Sequence, residues 1–446
     1  MSGHPTPLTE RIPPVPSLDR FRLLTLHAAL FGLSTAMAGG FAGAYLLTLG
    51  FSLPAALAAY GALLVLRFGL RGLAIAIVRR VGMAGALRLG VVIGAVGILP
   101  LLAADRVPGL LAWILLVSLA EAIYWPAFHA TTVTTVAGDD SLGRQVAERT
   151  MVGAVVAVAG PLAGGLLLAG LGEAAGFGIA ALVGLLSILP VARLGRIEAG
   201  PVPRLGEVLR GMDRRGVATF AADGWIASGL VFVWPMVMFA AMGSSYQAFG
   251  LANAAAGLVG AAVSPWCGRM IDRGQRDRTL VLVCAALAVS FALRAAAAWS
   301  PLATALANVT GAAICGLYAP VLFSALYARA RRSGAPYRFH LAAEAGWDCG
   351  AACGLFAAAG VAAVVAVPAL AVLPASLGIG ALYLCIRTPR PADQGPQLVP
   401  TAPPSISPMA RWMTRSAIPS RPVSWLLTMA RRAPLRLASS GKPAAG

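Results

Sequence analysis

The sequence predicts an all-α integral membrane protein with twelve transmembrane helices. Three observations support this prediction. Of the 446 residues, 58% are hydrophobic and only 12% are charged, whereas a soluble domain carries about 25% charged residues. Long apolar runs recur along the chain, and a bilayer core requires about 20 apolar residues per helix. Arginines are concentrated in every second loop between these runs, which is the pattern of an even number of spans.

The predicted spans follow the apolar runs in order. They cover residues 22–48, 54–77, 85–104, 108–136, 150–170, 174–194, 217–242, 247–267, 279–299, 301–327, 340–364 and 368–386. The last two runs are almost continuous, and Pro368 is expected to separate them because proline begins a helix well and continues one badly. The first run is too long for the apolar core of a signal peptide, so it is expected to be a span.

The loop arginines predict which side of the membrane each loop faces. The loops after spans two, four, six, eight and ten are rich in arginine, whereas the intervening loops contain only Arg106. Cytoplasmic loops carry the excess of basic residues. Both termini are therefore expected in the cytoplasm, at a bacterial inner (plasma) membrane. The net charge of +18 is ascribed to these loops, and nucleic acid is not expected as a partner.

Two halves of six spans are predicted on either side of the longest polar interruption. The triplet Tyr-Trp-Pro that begins at Tyr124 in span four recurs as Tyr-Ala-Pro beginning at Tyr318 in span ten. Two basic loops repeat at nearly the same offset, and such recurrence indicates an internal duplication. The expected organisation is a cytoplasmic N-terminal segment, a six-helix half, a central loop, a second six-helix half and a basic cytoplasmic tail, at residues 1–21, 22–194, 195–216, 217–388 and 389–446.

Ionisable residues inside the spans are the main candidates for a functional site, because a charge in the membrane costs several kcal/mol. Glu121 lies midway along span four, Asp223 about two turns into span seven, and Arg67 near the middle of span two. Glu344 and Asp348 are four residues apart in span eleven and share a helix face. Arg67 is expected to pair with Glu121 or with a span-eleven acid. A position near the cytoplasmic loop is the alternative for Glu344.

Other polar residues have simpler explanations. His27 and His129 are each isolated on an apolar helix, which favours hydrogen-bonded packing over metal ligation. Arg294 in span nine is expected to extend toward the membrane surface. No span places a Ser or Cys nucleophile one turn from a His, and no metal-ligand motif is present. An enzyme, a metal site and a cofactor are therefore not predicted.

The loop between spans eight and nine resembles a motif of the major facilitator superfamily. Residues 268–276 read Gly-Arg-Met-Ile-Asp-Arg-Gly-Gln-Arg, similar to the family's G-x-x-x-D-R-x-G-R, with Gln275 at the second glycine. The resemblance implies a gating latch between neighbouring helices, and a solvated basic loop is the alternative. The latch residues are Gly268, Asp272, Arg273 and Arg276. In the first half the equivalent loop is degraded, because Arg79 stands where the family has Asp.

Span five carries a second similarity to the family. Gly160, Pro161, Gly164 and Gly165 match the core of its G-P-x-x-G-G motif, which is associated with antiporters. Small residues let helices approach closely and proline bends them, so ordinary helix packing is the alternative. Span four lacks the arginine that drug–proton antiporters of the superfamily usually carry there, which weakens a drug-exporter assignment.

The resemblance covers residues 22–388 and implies that spans one, four, seven and ten line a central cavity. It implies coupling of a small-molecule substrate to protons through the following candidates: Glu121, Asp223, Asp348, Glu344, Arg67, Tyr124 and Tyr318. Trp347 is a candidate for stacking on an aromatic or cationic substrate, with packing as the alternative.

The expected function is secondary active transport by alternating access, with export favoured slightly over uptake by the span-five motif. The alternatives are an uptake transporter of the same fold and a non-transporting membrane scaffold or sensor, which would have no need of intramembrane acids. A monomer in a lipid bilayer is expected. The tail, residues 389–446, mixes apolar and basic residues and is expected either to contact anionic lipid headgroups or to be disordered.

Overall fold

The computed structural model describes residues 17–135, 142–195, 197, 202–272 and 275–387. These residues are helical almost throughout and contain no strand. Among them, eleven helices are long and apolar enough to cross a membrane, and a twelfth apolar helix, Leu53–Gly69, is shorter. The prediction of an all-α membrane protein is therefore confirmed. The predicted basic tail and most of the N-terminal segment lie outside the described residues.

The helices follow the predicted spans closely. In chain order they are α1 Ser17–Thr48, α2 Leu53–Gly69, α3 Arg71–Gly97, α4 Val107–Thr135, α5 Leu142–Leu171, α6 Glu173–Leu186, α7 Ile188–Ala192, α8 Leu205–Arg210, α9 Arg214–Ala227, α10 Trp234–Ala241, α11 Tyr246–Asp272, α12 Arg276–Ala297, α13 Pro301–Arg332, α14 Pro336–Val364 and α15 Leu377–Ile386. Turns of 3₁₀ helix at Leu99–Ala103 and Pro368–Ser376 extend spans three and twelve. The short helix α8 lies in the central loop.

Helix starts follow from short local signals. The Ser52 side chain accepts a hydrogen bond from the Ala55 amide at the start of α2, and Ser300 does the same for Ala303 at the start of α13. A proline follows each of these serines within the first two helical positions. Serine satisfies one of the free amides of the first turn, and proline has no amide to leave unpaired there.

Spans two and three meet at a break inside α3. Gly82 has φ +70° and ψ 178°, a conformation that residues with a Cβ rarely adopt. Leu63 and Gly94 both lie against α4, where Ser118 donates to the Leu63 carbonyl and Gly94 faces Ala120. A straight helix would separate those two residues by about 45 Å, so the chain reverses at Gly82. The predicted gap between spans two and three contains this residue.

Span seven is widened in its middle. The segment Ser228–Val233 is a turn of π-helix between α9 and α10, and the Trp234 amide donates to the Gly229 carbonyl. Pro235 follows immediately and has no amide to continue an α-helical ladder. Single turns of π-helix recur at functional sites, and this one turns Val231 and Phe232 toward the space between the two halves.

The two halves contact each other at both ends of the bundle. The Gly82 end, which holds the α1 N-terminus, is closed by α14, where Tyr337 and Leu341 pack in one cluster with Ile75 of the first half. At the opposite end, here called the Gly50 end after the turn between α1 and α2, the Thr48 hydroxyl lies 3.2 Å from the Tyr246 hydroxyl. The space between the halves is therefore bordered at each end by a contact between them.

Helices α9 and α14 cross with their backbones in contact. A Cβ on Gly350 would lie 1.9 Å from the Ala221 carbonyl oxygen, and one on Gly224 would lie 2.2 Å from the Trp347 carbonyl oxygen. Lipid tails are as apolar as the helix side chains, so the hydrophobic effect does not drive membrane helices together. Small residues promote their association instead, because they let the backbones pack closely. The crossing fixes the position of the α14 side chains relative to span seven.

Gly350→Ala is expected to destabilise the protein by about 1–3 kcal/mol, because the added methyl forces the two backbones apart. Gly360→Ala is the matched control on the same helix, since a Cβ there meets nothing within 4 Å. Melting curves of the purified proteins in one detergent make the comparison. Equal melting temperatures for the two variants would show that the α9–α14 contact is looser than described.

Candidate functional site

A cavity of about 440 Å³ lies between the two halves. This volume falls in the usual range for small-molecule sites, about 300–1,000 Å³. Its aromatic wall consists of Tyr60, Trp113, Trp125, Phe220, Phe232, Phe323 and Trp347. Its ionisable wall consists of Arg67, Glu121, His129, Asp223 and Glu344.

Arg67 connects the two halves beside this cavity. Its guanidinium forms ion pairs with Glu121 of α4 in its own half and with Asp348 of α14 in the other half. Asp348 is fully buried, whereas the Glu121 side chain is 34% exposed and faces the cavity. Both pairings expected for Arg67 are therefore present together, and one cation is shared between two acids.

Arg71 completes this arrangement and was missed by sequence reasoning. Its Nε and Nη2 donate to Asp348 Oδ2 at 2.9 and 2.6 Å, and Nη2 lies 3.6 Å from Glu344. Arg71 sits near the end of a predicted span, where arginine usually extends to the interface. The available signal was its spacing. Arg67 and Arg71 are four residues apart, as are Glu344 and Asp348, so two arginines on one helix face meet two acids on another.

Glu344 also contacts a histidine cluster on the Gly82 side of the cavity. The His129 Nε2 lies 3.4 Å from Glu344 Oε1, and the His129 Nδ1 lies 3.0 Å from the Tyr327 hydroxyl. The His340 ring stacks on His129 with centroids 5.1 Å apart. His129 is thus hydrogen-bonded, as predicted, and joins α4 to α13 and α14. Glu344 is only 5% exposed, so it is not a loop residue.

Asp223 of α9 lies at the cavity without a cationic partner. Its Oδ1 accepts a hydrogen bond from the Tyr318 hydroxyl at 2.5 Å, and its Oδ2 accepts one from the Trp347 indole at 2.9 Å. Among the described residues it takes part in no ion pair. The face of the same indole carries the Arg67 guanidinium 4.9 Å from the ring centroid. Trp347 therefore lies between Arg67 and Asp223, and it lines the cavity.

Six ionisable residues around Trp347 form what we call the central cluster. They are Arg67, Arg71, Glu121, Asp223, Glu344 and Asp348. Among the described residues the cluster holds four carboxyl groups against two guanidinium groups, and even a protonated His129 would leave one carboxyl group in surplus. An unpaired charge removed from water costs several kcal/mol. Protons or a cationic ligand would reduce this surplus.

Tyr124, a candidate for substrate or proton coupling, does not line the cavity. Tyr124 is 1% exposed, its hydroxyl lies 3.0 Å from His27 Nε2, and its ring stacks on Phe31. Three residues along a helix rotate a side chain about 60° away from Glu121, which turns Tyr124 toward α1. Its counterpart Tyr318 likewise lies behind the cavity wall, in contact with Asp223. Each tyrosine bonds to the first helix of its own half, which agrees with the predicted duplication.

The prediction that Arg294 extends toward the membrane surface is wrong. Its side chain is 3% exposed, lies over the Trp234 ring at 5.1 Å and points at Gly311, where the lack of a side chain leaves room for it. A guanidinium in this position gains an aromatic face in place of headgroup contacts. Trp234 itself is buried and donates to Asn308, so it contributes packing.

The glycines of span five bring helices together. A Cβ on Gly160 would lie 2.4 Å from the Ala36 Cβ, and one on Gly164 would lie 2.7 Å from the Met37 carbonyl oxygen, both on α1. Gly165 instead meets Gly250 of α11, so the backbones of the two halves contact there. These are packing contacts, the alternative stated for this motif. Of the gating latch, Arg273 lies outside the described part of the chain, as do the side chains of Asp272 and Arg276 and the surroundings of Gly268.

A family model described as Major Facilitator Superfamily matches residues 86–335, more than half of the chain. The chain belongs to the major facilitator superfamily. It is thus a membrane transporter of that superfamily. No curated protein matches its sequence.

Solved structures of this superfamily share the fold. A bacterial homologue of the iron transporter ferroportin, in an inward-facing state, has a TM-score of 0.57 at 13% identity, over 83% of this chain and 98% of that one. The human organic anion transporter MFSD10 has a TM-score of 0.60 at 14% identity, over 84% and 100%. A nucleoside transporter, NupG, has 0.59 at 15%, over 83% and 98%. At sequence identities this low, the similarity shows a shared fold and nothing about substrate or mechanism.

Proposed function

We propose that this protein moves a small molecule across the membrane by alternating access, driven by protons that bind in the central cluster. The observation that carries the proposal is the surplus of carboxyl groups at a cavity where the two halves meet. The net charge between the two halves changes when a proton binds, and the energy of that charge changes when the halves separate. Scaffold and sensor functions have no need of such a cluster.

Glu121 is the proposed proton-binding group. It is the most exposed acid of the Arg67 network, and it competes with Asp348 for the same guanidinium. When Glu121 is ionised, Arg67 keeps a partner in its own half and can leave Asp348. When Glu121 is protonated, Asp348 becomes the only anion paired with Arg67. Protonation therefore strengthens the link between the halves beside α14, which Arg71 also supports, and deprotonation weakens that link and favours opening of the Gly82 end.

The remaining parts of the proposal rest on the sequence. Export is the proposed direction, on the similarity of the span-five motif to antiporters. Cytoplasmic termini, an inner-membrane location, a monomer, the domain limits at residues 22–194 and 217–388, the latch at Asp272 and a tail on anionic lipid are proposed on the arguments given above. Uptake through the same fold is the second candidate, because the central cluster serves either direction.

The proposed function is tested in two stages. A thermal-shift screen of the purified protein identifies ligands that raise its melting temperature. Each ligand is then added to proteoliposomes that enclose a pH-sensitive dye, and we expect proton flux that depends on protein and ligand together. Liposomes without protein give the leak rate. Ligand accumulation that is unchanged when the pH gradient is collapsed with an ionophore would contradict proton coupling.

A further inference from the structure

We infer that the cavity binds an organic cation whose positive group pairs with Asp223 and whose body packs on the aromatic wall. This inference rests on the proposed function and adds the class of substrate to it. Three observations support it: the charge balance of the cavity, the hydrogen bonds of Asp223 and the distribution of aromatic rings.

The charge balance favours a cationic substrate over an anionic one. Both arginines of the central cluster are already engaged, Arg67 by two acids and Arg71 by Asp348 through two nitrogens. An anion entering the cavity would add to a surplus of carboxylate. A cation beside Asp223 would instead reduce the surplus, and its attraction to the carboxylate is stronger inside the protein than in bulk water.

The Asp223 carboxyl group is held in place for a ligand. Tyr318 and Trp347 each donate a hydrogen bond to a different oxygen, which fixes the orientation of the group. Each carboxylate oxygen retains a second acceptor position. No described residue supplies a cation to those positions. The Asp223 carboxylate is thus oriented by Tyr318 and Trp347, and its remaining acceptor positions are available to a positive group in the cavity.

The aromatic rings lie where the body of such a cation would be. Phe220 on α9, Phe232 on the π-helical turn and Trp347 on α14 come from the second half, and Tyr60 and Trp113 face them from the first half. The Tyr60 ring contacts both Trp113 and Phe232, with centroids 5.3 and 5.0 Å apart. Aromatic faces attract cations, most strongly where water is excluded.

The test compares tetraphenylphosphonium with tetraphenylborate, which have nearly the same shape and opposite charge. Binding of each is measured by equilibrium dialysis on the purified full chain in detergent. We expect tetraphenylphosphonium to bind saturably and tetraphenylborate neither to bind saturably nor to compete. Asp223→Asn should weaken the cation's binding at least tenfold. Asp105→Asn, which neutralises an exposed acid that does not line the cavity, should leave binding unchanged.

Two results would overturn the inference: equal binding of the two ions by the unaltered protein, or unchanged affinity in a folded Asp223→Asn variant. If that variant does not fold, the comparison of the two ions on the unaltered protein decides alone. Proton flux through the unaltered protein separates this inference from the proposed function. Cation binding without any proton-driven transport would refute proton coupling only, whereas proton-driven transport of an anion would refute the cation site only.

Discussion

In proteoliposomes, the Glu121→Gln variant is expected to lose accumulation of substrate in response to a pH gradient and to retain slower exchange down a concentration gradient. Glutamine keeps the size of the side chain and removes its titration. With no charge at position 121, Arg67 is held by Asp348 whatever the pH, so the Gly82 end opens only rarely and its opening no longer responds to protons. Accumulation should fall to the level of liposomes that have no pH gradient.

The competing interpretation makes Glu121 half of a purely structural pair with Arg67. In that case Glu121→Gln should lower expression and melting temperature, and removing Arg67 in the same protein should partly restore both. Melting curves of the two single variants and the double variant separate the interpretations. A Glu121→Gln protein that still accumulates substrate in response to pH would end the coupling hypothesis, whatever its stability.

Asp348→Asn is expected to have the largest effect on stability. Asp348 is fully buried and receives hydrogen bonds from Arg67 and Arg71 at once, so neutralising it leaves two guanidinium groups short of an acceptor. Removing one partner of a buried ion pair costs about 3–5 kcal/mol. We expect a large fall in melting temperature and poor recovery from the membrane.

Asp105→Asn supplies the control for this prediction. Asp105 is exposed, and its substitution changes the net charge by the same amount as Asp348→Asn. Its melting temperature should match that of the unaltered protein. An Asp348→Asn protein that melts with the control would show that the arginines find other acceptors. The coupling of Arg67 to the second half would then need another explanation.

The fold was predictable because membrane spans depend on local composition. The length of each apolar run, the loop arginines and Pro368 are local signals that each concern one segment of the chain. The observed helices agree with the spans predicted from these signals. The reversal at Gly82 was also within reach, because the apolar pattern lapses around it. The π-helical turn before Pro235 was not predicted, because it depends on how span seven packs as well as on its own residues.

The candidate site was predictable in its residue types and only partly in its pairings. Arg67, Glu121, Asp223 and Asp348 were found because charges inside a membrane are rare and costly. Arg71 was missed because its depth in the bundle depends on the reversal that follows it. The location of Tyr124 could not be predicted for a different reason. A rotation of 60° about the helix axis decides whether its side chain faces the cavity or the core, and that rotation depends on how the helix packs, which the sequence does not give.

The central claim, that protonation of Glu121 controls which end of the bundle is open, is tested by distances between spin labels in a variant lacking the native cysteines. One pair of labels at Arg80 and Arg332 spans the halves at the Gly82 end, and another pair at Val107 and Trp299 spans them at the Gly50 end; all four positions are exposed. Raising the pH should lengthen the first distance and shorten the second. In Glu121→Gln the first distance should stay short at every pH. The account would be contradicted if the distances did not change with pH, or if they changed equally in the unaltered protein and in Glu121→Gln.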